Sequence, residues 1–195
     1  MTANKDIMKN HRVDAIETAH EWIEENPVYL GTTTTGLGPA AEVIDLALID
    51  YNGARLIDTL IKPTVAIEPV ASDIHHITAE TVADAPTFSD VFPDLIEKTK
   101  DRLIIVYNEN FNSLILHQTA AAHNIEFYSL YSSSQCSMLL FAKYYGDWDD
   151  YRQSYKWKTL EFAGSYFGIK SHGLHRAAVD ARLTLLVLQH MANTI

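Results

Sequence analysis

Four consecutive aliphatic residues, Leu103-Ile104-Ile105-Val106, stand between Arg102 and Tyr107 with no polar side chain among them. Successive strand residues point to opposite faces, so a strand of this composition must be covered on both sides. The run therefore predicts a central strand in a sheet sandwiched by helices. Residues 43–49 are also nearly all apolar, with Asp45 set into them, and residues 55–61 follow after Asp50-Tyr51-Asn52-Gly53. The Asn-Gly step is a strong hairpin signal. With residues 27–31 as a preceding strand, the chain is expected to open its sheet with a three-stranded antiparallel meander.

Helices are read where apolar residues recur at three- and four-residue spacing. Val13, Ile16, Ala19 and Ile23 give a helix over residues 10–25 that Pro27 ends. Val91, Phe92, Leu95 and Ile96 give a second over 88–99, and a third spans 110–123. Further helices are predicted over 135–145, 155–167 and 172–191, with a short piece at 72–76, a turn at 78–81 and an edge strand at 127–130. Strands alternating with helices after a meander predict an α/β fold with a mixed central sheet flanked by helices. No repeat or linker appears. Residues 1–26 read as an N-terminal helical extension and 27–195 as the main domain.

The chain of 195 residues is 47% hydrophobic, long enough to bury a full core. Its formal net charge of -10 gives no broad attraction to a polyanion, so nucleic acid would need a local patch. Cys136 is the only cysteine. It is expected to act as a small buried hydrophobe, which leaves no disulfide and no Cys-based metal site. Without a secretory segment or an apolar run of 18 residues, the expectation is a soluble cytoplasmic protein with no membrane partner.

Three places converge in such an architecture. They are residues 31–35 after the first strand, Tyr107-Asn-Glu-Asn-Phe-Asn112 after the central one, and His175 and Asp180 in the last helix. Gly31-Thr32-Thr33-Thr34-Thr35-Gly36-Leu37 resembles the first motif of the DnaQ-like (DEDDh) 3′-to-5′ exonucleases, Asp-x-Glu-Thr-Thr-Gly-Leu, without its acids. Residues 107–112 resemble the second, His-Asn-Ala-x-Phe-Asp, with Asn112 at the metal-binding Asp. His175-Arg-Ala-Ala-Val-Asp180 keeps the third, His-x4-Asp. Ile74-His75-His76-Ile77-Thr78 resembles the His-Gly-Ile-Thr connection, with His76 where glycine is common. The resemblance runs from Val28 to Met191.

It implies a ribonuclease H-like fold and a site in which four carboxylates hold two Mg²⁺ or Mn²⁺ ions, with a histidine as general base. Those four positions are Gly31, Thr33, Asn112 and Asp180, and only Asp180 is charged. His175 holds the general-base position and is expected to be idle. One carboxylate fixes Mg²⁺ poorly, so no cofactor is expected, Mg²⁺ or Mn²⁺ being required if the chain is active. The resemblance also implies that Thr34, Leu37 and His75 hold a terminal nucleotide, with Asn108 and Phe111 shaping the turn beside it. His76 is expected to add bulk near that pocket, and binding to be modest and steeply salt-dependent.

Three readings stay open: a silent exonuclease-like domain binding single-stranded DNA or RNA 3′ ends or a protein partner, a divergent active exonuclease, and a module that touches no nucleic acid. A rescuing site from Glu109, Asp180 and Asp45 is the route to the second, and a zinc site at His75, His76 and His175 has no Cys or Glu at close spacing. The aromatic stretch 144–157 is expected to pack rather than to stack on bases. Restoring Gly31→Asp, Thr33→Glu and Asn112→Asp together is expected to recover cleavage if the scaffold is intact.

Overall fold

A computed structural model describes residues 2–127, 134–173 and 175–194. Helix α1 (Thr2–Glu24) leads into β1 (Val28–Thr34), β2 (Val43–Asp50) and β3 (Arg55–Leu60). Short helices α2 (Pro69–His75) and α3 (Ala79–Val82) precede α4 (Phe88–Thr99), β4 (Ile104–Val106) and α5 (Glu109–Ala122). Then come β5 (Ser134–Cys136), α6 (Ser137–Tyr145), a small hairpin β6 (Trp148–Asp149) and β7 (Ser154–Tyr155), α7 (Leu160–Tyr166) and α8 (Ala177–Ala192).

The sheet order is β3-β2-β1-β4-β5. The first three strands pair antiparallel, while β1–β4 and β4–β5 are parallel. This is the mixed α/β sheet that the two apolar runs predict, a meander extended by parallel strands. Alternation places Val28, Leu30, Leu46, Leu48, Ile104 and Val106 in one core, which includes Phe88 and Leu95 of α4 and Ile115 and Leu116 of α5. Tyr29, Ile49 and Ile105 face the other core, made with α6, α8 and α1. Ala15 and Ala19 of α1 are fully buried there, so small residues let this helix lie close on its neighbours.

Several boundaries differ from the sequence reading, each for a local reason. The predicted helix over 155–167 starts only at Leu160, because Ser154–Tyr155 pairs with Trp148–Asp149 and Thr159 caps the helix by accepting from the Phe162 N–H. The last helix starts at Ala177, not residue 172, because His175 takes a left-handed backbone (φ 69°) that breaks the helical path. The 72–76 piece is the end of α2, which Pro69 starts. Cys136 is half-buried at the end of β5, not buried in a helix. Of the strand expected at 127–130, residues 128–130 lie outside the described residues, and Phe127 is in no strand. Among the described residues, no helix is long and apolar enough to cross a membrane.

Candidate nucleic-acid site

The C-terminal end of β1 carries alternate side chains to opposite faces. Gly31 and Thr33 turn toward α8, and Thr32 turns toward α5. Two cavities open around this strand end. One of about 340 Å³ is lined by Thr32, Thr33, Thr34, Leu37, His75, Phe111, His175 and Asp180, with Val70 and Ile74 at its edge. The other, about 280 Å³, is lined by Gly31, Thr32, Asn108, Phe111, Asn112, His175 and Asp180, closed by Tyr107 and Leu160. They share Thr32, Phe111, His175 and Asp180 and form one cleft. Gly31, Thr33, Thr34, Leu37, His75, Asn108, Phe111, Asn112, His175 and Asp180 each line one or both, while Asp45, His76 and Glu109 line neither.

The side of the cleft toward α8 is closed by backbone. A Cβ at Gly31 would lie 2.2 Å from the carbonyl oxygen of Ala177, far inside van der Waals contact. Thr33 Oγ1 donates to the His175 carbonyl at 2.8 Å. The His175 N–H donates to Asp180 Oδ1 at 3.1 Å. Asp45, 1% exposed, accepts from Arg176 Nε at 2.7 Å and from the Ala177 N–H at 3.1 Å. That bond satisfies a free donor at the start of α8 and places a negative charge at its positive end. Thr33 of β1 and Asp45 of β2 thus hold the start of α8 against the sheet, while Asp180 closes the turn within the 175–180 segment. The sequence suggests Asp45 only as a rescuing ligand. Its helix-anchoring role depends on Asp45 and Arg176 meeting across 131 residues of chain, which no local pattern reveals.

Asn112 is equally committed. Its Oδ1 accepts from Thr32 Oγ1 at 2.7 Å, while its Nδ2 donates to the carbonyls of Tyr107 and Asn108, both at 3.0 Å. An aspartate here would turn a carboxylate oxygen onto two carbonyl oxygens. Asn108 takes a left-handed backbone (φ 63°) as it starts α5, a conformation asparagine tolerates. Glu109 does not reach the cleft. It accepts from Ser113 at 2.5 Å and Ser134 at 3.1 Å instead.

This set of donors does not fit a divalent pair. Gly31 has no side chain, and the Thr33 hydroxyl and the Asn112 amide are engaged. Among the described residues, no three His, Cys, Asp or Glu are grouped to hold an ion. Beside the exposed Glu68, the carboxylate that lines the cleft is Asp180. Burial pushes its pKa up from 3.8 to about 6, against the opposing pull of the His175 N–H.

The other side of the cleft is open and carries apolar residues beside the exposed carboxylate of Glu68. Leu37 is 83% exposed, Val70 71% and Ile74 51%. Beneath them His75 is 5% exposed. Its Nδ1 accepts from the Ile77 N–H at 3.0 Å, so the neutral ring carries its proton on Nε2. That Nε2 is buried without a hydrogen-bond partner. Burial lowers the pKa of His75, while a contact of the ring with the Thr34 backbone acts in the other direction. The ring is therefore neutral. His76 is exposed and lines neither cavity, correcting the expectation that it narrows the pocket. It caps α2 with φ 59°, and this left-handed cap explains why glycine suits the position.

A five-stranded mixed sheet with a cleft at the ends of its first and fourth strands, and a helix crossing the first, defines a ribonuclease H-like nuclease fold. The family model described as Exonuclease (RNase_T) matches residues 32–188. The uncharacterized exonuclease CP81 of Escherichia phage 186 is 34% identical over 181 residues, covering 90% of this chain and 93% of that one. The DNA polymerase III epsilon subunit of Treponema pallidum is 26% identical over 165 residues, covering 79% and 70%. Exonuclease X, solved with 5′ overhanging duplex DNA, superposes with a TM-score of 0.63 at 21% identity, covering 85% of this chain and 90% of that one. The chain belongs to the DnaQ-like exonuclease family.

Proposed function

We propose that this chain is a catalytically silent member of the exonuclease family that holds the 3′ end of a nucleic-acid strand without metal. The observation that carries the reading is the hydrogen bonding of the three positions at which the family's acids would stand. Gly31 is packed on the Ala177 carbonyl, Thr33 donates to His175, and Asn112 donates to two carbonyls. Each neutral residue satisfies its surroundings in a way the acid would not. Two-ion catalysis needs paired carboxylates to clamp the attacking and leaving oxygens, and these residues supply no pair. His175 then has no metal-activated water to deprotonate.

What favours strand binding is the open side. Leu37, Val70, Ile74 and Phe111 offer apolar surface for a base or sugar, with the buried His75 ring beneath them. Exonuclease X binds DNA in its solved complex, and the same class of ligand is proposed here. Cations near the cleft are already paired, Arg176 with Asp45 and Lys156 and Lys158 with Asp147. Affinity therefore rests on apolar and hydrogen-bonding contact, and its salt dependence should be shallow rather than steep. A 5′-labelled single strand incubated with excess protein and Mn²⁺ tests the reading. The strand should stay full length in Mn²⁺ and in chelator alike, whereas ladders appearing only with Mn²⁺ would show an active exonuclease.

A further inference from the structure

A third cavity, of about 390 Å³, lies on the opposite side of α8 from the strand-end cleft and shares no lining residue with it. Its floor is apolar: Ile49, Ile169, Leu183 and Leu186, with Ala178 and Val179 beside them. Its rim carries Arg55, Lys170 and Arg182, and no acidic residue lines it. In a chain with 15 basic against 25 acidic residues, three cations around one apolar hollow run against the overall charge.

The charges are not equally free. Arg55 is paired with Asp58 at 2.5 Å. Arg182 makes only a 3.4 Å contact from Nη1 to the Gly53 carbonyl, and neither it nor Lys170 forms an ion pair among the described residues. Gly53 (φ 86°) makes room for this guanidinium, since a Cβ there would lie 2.0 Å from Arg182 Nη1. Two uncompensated positive charges therefore remain at the rim. A phosphate monoester carries about −1.5 to −2 at neutral pH and several acceptor oxygens, which matches them, whereas one carboxylate would leave a cation over. The volume falls in the range of small-ligand pockets, and the floor suits a planar or apolar body.

We propose that this cavity is a binding site for a phosphomonoester that carries a flat aromatic ring, such as a nucleoside monophosphate. Arg182 and Lys170 hold the phosphate, and Ile49, Ile169, Leu183 and Leu186 receive the ring. The site is separate from the cleft and does not depend on what the cleft binds.

Calorimetric titration of the full chain with AMP, adenosine, inorganic phosphate and decanoate tests it. AMP should bind more tightly than the other three. Arg182→Glu and Lys170→Glu, both at exposed positions, should each weaken AMP by about tenfold or more while far-UV circular dichroism stays unchanged. AMP binding should survive Ile74→Asp, which alters the strand-end cleft alone. No AMP binding, or equal affinity for adenosine or phosphate, would overturn the proposal. So would tighter decanoate binding, indifference to both charge reversals, or loss of AMP with Ile74→Asp.

Discussion

The two sides of the cleft have kept different things. On the α2 side, Leu37, His75 and Phe111 line open space, with the His75 ring buried at its base. On the α8 side, Gly31 and Thr33 are packed or bonded into their surroundings, as Asn112 is on α5; these are the residues that the sequence resemblance aligns with the family's acids. One side is open surface. The other is finished as protein interior. A buried polar group left without a partner costs about 1–3 kcal/mol, a cost that the fully bonded Asn112 amide avoids.

The sharpest way to break this contrast is to put the acids back. From the sequence alone, Gly31→Asp, Thr33→Glu and Asn112→Asp together are expected to restore cleavage. The packing predicts the reverse. The aspartate introduced by Gly31→Asp has to displace the start of α8, and overpacking of this kind costs about 1–3 kcal/mol before the lost hydrogen bonds are added. Chemical denaturation of the triple variant should show a loss of several kcal/mol (about 3 or more) and no Mn²⁺-dependent cleavage. A stable triple variant that degrades DNA would show that the helix moves freely.

On the open side, Ile74→Asp places a charge on exposed apolar surface. Strand-end affinity should fall about tenfold or more with little change in melting temperature, because Ile74 is half-exposed and supports no core. Fluorescence anisotropy with a short labelled strand reads the first, and a thermal melt the second.

Thr33→Val, on the closed side, should cost about 1 kcal/mol by leaving the His175 carbonyl without its donor. Strand binding should barely change. The smallest effect expected is a stabilisation of about 1 kcal/mol from His76→Gly, which relieves a left-handed side-chain residue at the end of α2.

Asp180 lends the closed side a pH signature. Its folded pKa of about 6 lies above its ordinary 3.8, so the folded state binds the proton more tightly than the unfolded chain. The resulting stabilisation is full below about pH 4 and is lost as pH rises through about 6. Asp180→Asn keeps an oxygen for the His175 N–H, so it should raise stability at pH 7.5 and flatten this part of the pH profile. A variant less stable at pH 7.5 would mean that the carboxylate is compensated by a cation.

Much of this is legible in the sequence. The unalternated Leu103–Val106 run and the Asn52-Gly53 step define the sheet, because burial on both faces and hairpin geometry leave few alternatives. The motif order locates the cleft, and the residues of the three motifs that the resemblance aligns with the family's acids and histidine line it. What stays hidden is set by contacts between distant segments. Nothing near Gly31 in the chain announces that Ala177 packs on it, and nothing near Asp45 announces Arg176. His76 misleads because its backbone angle, not its bulk, explains the glycine preference. Helix starts at Leu160 and Ala177 escape the periodicity because a two-residue strand pair and one left-handed residue leave no periodic trace.

Everything proposed for the cleft depends on strand ends being held by the α2 side alone. The most direct test is the dissociation constant of a short single strand with a free 3′ end, measured by anisotropy in EDTA and again in Mn²⁺. The same affinity is expected in both, weakened by Ile74→Asp. Binding that appears only when Mn²⁺ is added would contradict a metal-free grip.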